Sequence, residues 1–286
     1  MLSNKVKEIM TRDVLTVPVT DSIAAVIALM AEKNVGRVVV IDRGVPTGIF
    51  TESDVLRRVV AKRLDARKHP IKKVMTSPVR GVSEDTHILD VLGKMYRGKF
   101  RHMLVRGQKK EMAGLVSMRR ILKFAVELGR DLKETETIGS IMTGRPLTVE
   151  FSRSIHEVLG AMVREEASSV VVLDQGAPAG ILTERDVLRR VAVKKMDLKK
   201  TPVKKVMTPA PVFMNQAALI GEVLVEMFQR DFRHMPIQDD AGNLTGVVSL
   251  YDVLKYARAL DVDEGVRRAW QEIKEYWDSE EQYTPG

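Results

Sequence analysis

The feature that most constrains how this chain can fold is an internal duplication. A shift of 132 residues places residues 5–76 on residues 137–208 without a gap, and nearly half of the aligned positions are identical, among them Asp54 and Asp186. A weaker repeat of 65 or 66 residues divides each half again. The chain therefore contains four modules of about 60 residues, each of which is one supersecondary unit.

The first module predicts the order strand, helix, strand, strand, helix. Apolar residues at helical spacing indicate a helix that is capped by Asp21 or Ser22 and ends near Lys33. The β-branched run 38–41 is typical of a buried strand, and residues 48–50 form a third short strand before the second helix. The other modules repeat this order.

These patterns predict an α/β (α+β) fold of four β-α-β-β-α modules, arranged as two pseudo-symmetric pairs with a C-terminal helix. The predicted domains are a first pair at 1–131 with modules 1–66 and 67–131, a second pair at 132–260 with modules 132–198 and 199–260, and an acidic helix and tail at 261–286.

A capping motif ends each third strand. Thr51 and Thr183 can cap the following helix, because a side-chain oxygen there satisfies a free N–H group of the first turn. Asp54 and Asp186, three residues later, complete a capping box in which Asp replaces the usual Glu. A single copy predicts only a well-capped helix after a strand, whereas four copies at regular spacing indicate a shared function.

Composition narrows the class of protein. The chain is 44% hydrophobic and 29% charged, as in folded proteins, and it has no cysteine that could form a disulfide or bind a metal. We expect a cytoplasmic protein, because no apolar run could span a membrane and no signal-peptide pattern is present. The five histidines have no metal-ligand spacing, and no phosphate-binding loop or hydrolase motif is found. The sequence predicts a protein without catalytic activity or a covalent cofactor.

The four modules resemble cystathionine-β-synthase (CBS) domains, and the chain resembles a stand-alone protein of two tandem CBS pairs, or Bateman modules. The resemblance rests on the Ile-Met-Thr openings such as 9–11, on the Val-Val-Val-Ile-Asp and His-Met-Pro-Ile strands, and on the Gly-x-x-Thr/Ser-x-x-Asp ends. It covers residues 4–258.

This resemblance implies a regulatory sensor that binds AMP, ADP or ATP in clefts between paired modules. The carboxylates would accept the ribose hydroxyls, the Ser or Thr before each would reach a ribose or phosphate oxygen, and strand residues would line the adenine. The residues at the matching positions are Thr16, Val35, Gly36, Arg37, Ile49, Thr51, Asp54, Thr148, Ala167, Ser168, Ile181, Thr183, Asp186, Ser249 and Asp252.

Phosphate groups require positive charge, and the resemblance points to two basic segments that precede a strand. Arg101 and Arg233 would bind phosphate, with His102 and His234 in secondary roles. The alternative is that these residues are surface basics at the start of a strand.

The second module departs from the family pattern, because Arg120 stands where the carboxylate is expected. We therefore expect the site at Ser117 and Arg120 to bind no nucleoside, or only an anion. The sites at Asp54 and Asp186 are the best candidates, followed by the Asp252 site.

The distribution of charge supports an alternative function. The formal net charge is +8, and the basic excess lies in the first half. Clustered basic residues can neutralise phosphates, so the chain could instead be an RNA- or ribosome-associated protein that nucleotide gates. The alternative for these residues is a solvated surface. The clusters are Arg57-Arg58, Lys62-Arg63, Arg67-Lys68, Lys72-Lys73, Arg189-Arg190, Lys194-Lys195, Lys199-Lys200 and Lys204-Lys205.

The remaining expectations concern assembly. Residues 263–277 predict an acidic amphipathic helix that packs on a module, on a second subunit or on a partner. Four modules can complete two pairs within one chain, so both a monomer and a homodimer agree with the sequence. Any regulated protein effector must act in trans, because the modules occupy nearly the whole chain.

Overall fold

The computed structural model describes residues 4–109, 111–128, 136–194 and 196–253. The predicted helix at 263–277 lies outside the described residues. Within them, the predicted order of elements is confirmed in modules 1, 2 and 3. Module 4 follows it as far as the first residues of its second helix, 250–253.

From the first strand onward, modules 1 and 3 have closely matching elements, since their sequences are the most alike. Module 1 comprises α1 (Val6–Ile9), β1 (Thr16–Pro18), α2 (Ile23–Glu32), β2 (Arg37–Asp42), β3 (Val45–Thr51) and α3 (Glu52–Asp54), followed by a π-helical stretch at Val55–Val60.

Module 2 begins with a 3-10 turn instead of α1. Its elements are the turn Ile71–Lys73, then β4 (Gly81–Ser83), α4 (Ile88–Gly98), β5 (His102–Arg106), β6 (Met112–Ser117) and α5 (Met118–Leu128).

Modules 3 and 4 also open with 3-10 turns. Module 3 comprises Ile138–Ser140, β7 (Thr148–Glu150), α6 (Ile155–Arg164), β8 (Ser169–Asp174), β9 (Ala177–Thr183), α7 (Glu184–Asp186) and a π-helical stretch at Val187–Ala192. Module 4 comprises Val203–Lys205, β10 (Thr208–Pro209), β11 (Met214–Asn215), α8 (Ile220–Gln229), β12 (His234–Gln238) and β13 (Leu244–Ser249).

Each module is built on a small mixed sheet. In modules 1, 2 and 3 the first strand lies parallel to the second, and the second pairs antiparallel with the third, as in the order β1-β2-β3. In module 4 the same sheet is β11-β12-β13, whereas β10 pairs antiparallel with β9 of module 3. The register of the antiparallel pair places Arg37 opposite Thr51, so the residue that opens β2 lies beside the helix cap. Ser22 caps α2 by accepting from the backbone N–H of Ala25, which identifies the cap that the sequence left open.

Contacts divide the chain into two compact units that do not follow its two sequence halves. Unit 1 contains residues 1–13, 80–144 and 213–286, and unit 2 contains residues 14–79 and 145–212. Unit 2 thus combines the bodies of modules 1 and 3, and unit 1 combines those of modules 2 and 4. The grouping of consecutive modules into pairs stays a prediction.

In unit 2, two equivalent leucines pack in each other's cores. Leu56 of module 1 is fully buried in the apolar cluster of module 3, and Leu188 of module 3 is fully buried in the cluster of module 1. This reciprocal exchange ties the two apolar clusters together, because each second helix contributes side chains to both.

Consecutive modules exchange their opening segments. Thr11, at the opening of module 1, pairs with Leu115 of module 2, and Thr76, at the opening of module 2, pairs with Ile49 of module 1. Thr143 likewise pairs with Val247 of module 4. The exchange explains why the boundaries of the compact units fall just after these segments.

Candidate functional site

The Thr51 and Asp54 side chains form a closed capping box at the start of α3. The Oδ2 atom of Asp54 accepts from the backbone N–H of Thr51 at 2.9 Å and from its hydroxyl at 2.7 Å. The Thr51 Oγ1 atom accepts in turn from the backbone N–H of Asp54 at 3.4 Å. The predicted box is therefore present, and it fixes the orientation of the carboxylate.

The second oxygen of Asp54 has longer contacts. Its Oδ1 atom lies 3.4 Å from the hydroxyl of Thr76 and 3.3 Å from Nε of Arg58. Asp54 is 7% exposed, and burial raises its pKa above the ordinary value, although the bonds from Thr51 and the charge of Arg58 oppose this rise. One oxygen is thus committed to the helix cap, and the other has weaker partners.

Module 3 reproduces the same arrangement. Oδ2 of Asp186 accepts from the Thr183 backbone N–H at 2.9 Å and from the Thr183 hydroxyl at 2.7 Å. Oδ1 accepts from the hydroxyl of Thr208 at 3.1 Å and lies 3.5 Å from Nη1 of Arg190. Modules 1 and 3 form the same contacts with different residues, so the different surroundings of the two carboxylate oxygens are a property of the motif.

Module 4 contains a third copy. Oδ2 of Asp252 accepts from the Ser249 backbone N–H at 2.7 Å and from the Ser249 hydroxyl at 2.6 Å. Asp252 is more exposed than Asp54 and Asp186, which are both buried. A serine therefore serves the cap as well as a threonine does.

Module 2 replaces the carboxylate with a cation. The backbone N–H of Arg120 donates to the hydroxyl of Ser117 at 3.3 Å, so the cap itself survives. The Nε atom of Arg120 donates to the carbonyl of Ile9 at 2.8 Å. The described part of this module therefore has no acidic acceptor at the position of Asp54.

Two arginines that the sequence analysis assigned only to the basic clusters, Arg58 and Arg190, support the carboxylates. Nη1 of Arg58 donates to the carbonyls of Val74 and Met75 at 2.9 and 2.8 Å, and Arg190 contacts the equivalent carbonyls of Val206 and Met207. Each arginine lies four residues after the Asp in the sequence, and a helix places two side chains at this spacing on one face. This spacing could have identified both arginines.

In every module, the residues that precede the middle strand of the sheet lie against the start of the capped helix. These strands are β2, β5, β8 and β12. The backbone N–H of the first residue of the second helix donates to the carbonyl of Gly36, Arg101, Ser168 or Arg233, at 2.9 to 3.4 Å. The sheet registers place Arg37, His102, Ser169 and His234 opposite the capping Thr or Ser. Arg101 and His102 thus lie beside Ser117, and Arg233 and His234 lie beside Ser249.

The remaining predicted residues lie on the same sheets. Thr16 and Thr148 open the first strands and pair with Val39 and Val171. Ile49 and Ile181 are 8% and 7% exposed. Within unit 2, module 1 therefore collects Thr16, Val35, Gly36, Arg37, Ile49, Thr51 and Asp54, and module 3 collects Thr148, Ala167, Ser168, Ile181, Thr183 and Asp186.

A hydrogen bond connects the two sets in unit 2. Nη2 of Arg57 donates to the carbonyl of Ala167 at 3.4 Å, while its Nε donates to the hydroxyl of Ser53 at 3.2 Å. Arg185 approaches Glu52 at 3.7 Å, and Glu52 is almost fully buried. The segment around Ala167 is therefore held by the module that carries Asp54.

Unit 1 contains an analogous contact between its modules. Arg119 donates to the carbonyl of Phe232 at 2.8 Å, pairs with Asp231 at 3.0 Å and lies over the ring of Phe228. Tyr251, at the equivalent position of module 4, stacks on Tyr96 of module 2 with ring centroids 6.2 Å apart. The pairing of modules 2 and 4 therefore rests on reciprocal positions.

Two kinds of feature are absent from the described residues. No cluster of three or more His, Cys, Asp or Glu side chains that could hold a metal ion occurs among them. In the same part of the chain, every helix is too short or too polar to cross a bilayer.

The comparisons with known proteins agree with the architecture. The family model of the CBS domain matches residues 6–61, 71–127, 138–193 and 203–259. The CBS domain-containing protein CBSCBSPB5 of Arabidopsis thaliana is 26% identical over a match that covers 98% of this chain and 58% of that protein. This chain thus spans little more than half the length of that relative.

Two crystal structures share the fold. Protein MJ1225 of Methanocaldococcus jannaschii, which was proposed to be an archaeal homologue of γ-AMPK, is 18% identical and has a TM-score of 0.74, with 88% of this chain and 99% of that chain covered. An uncharacterised conserved protein of Pyrococcus horikoshii has the same identity and coverage and a TM-score of 0.61. Because the four family matches together span more than half of its length, the chain belongs to the CBS domain family.

Proposed function

We propose that this protein is a non-enzymatic adenine-nucleotide sensor that transmits the occupancy of its sites to a protein partner. Membership of the CBS domain family supports a regulatory, ligand-binding role in general terms. AMP, ADP and ATP are the candidate ligands. The identity of the nucleotide and the action in trans are part of the proposal.

One observation carries the proposal: the two oxygens of each motif carboxylate have different surroundings. Oδ2 of Asp54 and of Asp186 is held by short bonds within the cap, whereas Oδ1 has contacts of 3.1 to 3.5 Å to a threonine and an arginine. A carboxylate oxygen that is oriented but weakly bonded can accept the adjacent hydroxyls of a ribose. The site therefore needs little reorganisation before a nucleoside binds.

The other predicted residues keep the roles that the family resemblance implies. The backbone around Gly36 and Ser168, together with Ile49 and Ile181, would contact the base. Arg101, His102, Arg233 and His234 would contact phosphate groups. Arg58 and Arg190 are added to this set, because each lies within 3.5 Å of the motif carboxylate.

The proposal is tested by removing the acceptors. Fluorescence titrations with AMP, ADP and ATP would compare the wild type with Asp54→Asn and Asp186→Asn. Each substitution should weaken nucleotide binding at its own module by about 10- to 100-fold, because a hydrogen bond to a charged acceptor contributes about 1.5–3 kcal/mol. Asp42→Asn and Asp174→Asn are matched controls, since these exposed residues end β2 and β8 at equivalent positions.

A second titration separates the phosphate role from the ribose role. Arg233→Ala should weaken ATP binding and leave adenosine binding unchanged, because adenosine has no phosphate. Equal affinity of the variant and the wild type for ATP would remove Arg233 from the site. Equal affinities of all the carboxylate variants and their controls would refute the sensor proposal.

A further inference from the structure

Two basic segments, residues 61–73 and 193–205, carry cations that the proposed nucleotide sites do not use. The first contains adjacent basic pairs every five residues, at Lys62-Arg63, Arg67-Lys68 and Lys72-Lys73, and all these residues are exposed. The second segment repeats this spacing, and its described lysines are exposed too. Each segment contains one acidic residue, Asp65 or Asp197.

Both segments are held in place by backbone bonds to the first helix of their module. The N–H groups of Ile23 and Ala24 donate to the carbonyls of His69 and Ala66 at 3.0 and 2.9 Å. In module 3, His156 donates to Leu198 at 2.8 Å, and Ile155 bonds the same segment. Apolar residues between the basic pairs pack on the two cores. The cations therefore project from an ordered backbone.

The directions of the two second helices indicate where the basic segments leave unit 2. Each begins where the second helix of its module ends, after Val60 in module 1 and after Ala192 in module 3. The starts of these helices contact each other, with Arg185 beside Glu52, and so do their π-helical continuations. Helices whose starts meet and whose continuations meet run in the same general direction, which indicates that both segments begin toward one end of unit 2.

We propose that these segments form one surface that binds the phosphate backbone of double-stranded nucleic acid. Regularly spaced pairs of cations on an ordered support match a ligand with a regular row of negative charges, and each neutralised phosphate releases counterions. Aromatic residues make up only 5% of the chain, which gives little means of stacking on unpaired bases. Recognition would therefore depend on the backbone of the duplex and not on base sequence.

The test measures binding of a fluorescein-labelled RNA duplex of about 20 base pairs by anisotropy, from about 50 to about 200 mM salt. A DNA duplex of the same sequence is the second probe, and anionic lipid vesicles are the third. The variants are Lys72→Ala/Lys73→Ala, Lys199→Ala/Lys200→Ala and their combination. Lys94→Ala/Arg97→Ala removes the same charge from an exposed face of α4 in unit 1 and is the matched control.

We expect salt-dependent binding to a duplex. Each double variant should weaken it by about tenfold and reduce the slope of log K against log salt by about 1.8, while the control binds as the wild type does. A preference for RNA over DNA would identify contacts with the 2′-hydroxyl. Binding only to vesicles, no duplex binding at low salt, or equal losses in the control would overturn the proposal.

The surface is independent of the nucleotide sites, and the experiment can distinguish the two. Asp54→Asn/Asp186→Asn should bind the duplex with wild-type affinity, because neither carboxylate lies in the basic segments. A folded carboxylate variant that loses duplex binding would contradict this separation.

Discussion

The side chain of Arg120 donates to the carbonyl of Ile9 at 2.8 Å and so holds the opening segment that packs on module 2. In modules 1 and 3 the equivalent carbonyls, of Val74 and Val206, accept instead from Arg58 and Arg190, which lie one helical turn later. In module 2, an arginine therefore stands at the position of the motif carboxylate, and this arginine makes the contact that holds the opening segment.

This relationship predicts a cost for removing the arginine. Arg120→Ala should lower the free energy of unfolding by about 1 kcal/mol, since it deletes a charged donor from the Ile9 carbonyl at an exposed position. Arg12→Ala, at another exposed arginine, is the control and should change stability by less than about 0.5 kcal/mol. Chemical denaturation of both variants would measure the difference. Equal stabilities of the two variants would contradict the assigned role.

The same exchange of segments predicts opposite effects for two glycine substitutions. A Cβ atom at Gly114 would lie 2.6 Å from the carbonyl oxygen of Thr11, which belongs to the exchanged backbone and cannot easily move, so Gly114→Ala should destabilise the fold by more than about 1 kcal/mol. Gly160 lies in α6 and has no atom within 4 Å of the added carbon, so Gly160→Ala should stabilise it by about 0.5–1 kcal/mol. Thermal unfolding would compare them, and equal shifts would refute the packing argument.

The capping box can be tested separately from ligand binding. Thr51→Ala removes the hydroxyl that bonds Asp54 and the helix backbone, and it should cost about 0.5–2 kcal/mol. Thr51→Ser should retain most of this stability, because Ser249 makes the same bonds in module 4. Urea denaturation would rank the variants, and a serine variant as unstable as the alanine variant would show that the methyl group, and not the cap, matters.

The repeat in the sequence accounts for most of the architecture, for a physical reason. Periodicity identifies the strands and helices, and the Thr-x-x-Asp spacing identifies the cap, because both depend on contacts within a few residues. The exchange of Leu56 and Leu188 between the two clusters could not be foreseen in this way. A leucine would be buried equally well in the cluster of its own module or in that of the other module.

The candidate site was foreseen in part for the same reason. Asp54 and Asp186 belong to a local motif, and the structure places each in the predicted cap. The contacts of Thr76, Thr208 and the carbonyl of Ala167 come from elsewhere in the chain, and a pattern confined to one module cannot reveal them. Arg58 could have been found from its spacing four residues after Asp54.

The raised pKa of Asp54 predicts a pH dependence. As the pH falls through this raised pKa, the carboxylate gains a proton and loses acceptor capacity, so nucleotide affinity at module 1 should fall at a higher pH than an ordinary aspartate would allow. The free energy of unfolding responds in the opposite sense, because the folded state favours the protonated form of Asp54. The stability that this preference contributes is present at low pH and is lost as the pH rises through the folded-state pKa.

Titrations of the Asp186→Asn variant between about pH 7 and about pH 4.5 would measure the effect on affinity. The variant that carries Asp54→Asn as well is the control, because it lacks the titrating group. An affinity at module 1 that stays constant until the protein unfolds would contradict the predicted role of the carboxylate.

The most direct test of the whole account is the number of nucleotide sites in one chain, measured by isothermal titration calorimetry with AMP, ADP and ATP. We expect no more than three sites, and none in module 2, which carries Arg120. Asp54→Asn and Asp186→Asn should each weaken the site of their own module by about 10- to 100-fold. Four equivalent sites would contradict the part assigned to the motif carboxylates, and the absence of binding by any of the three nucleotides would contradict the sensor function itself.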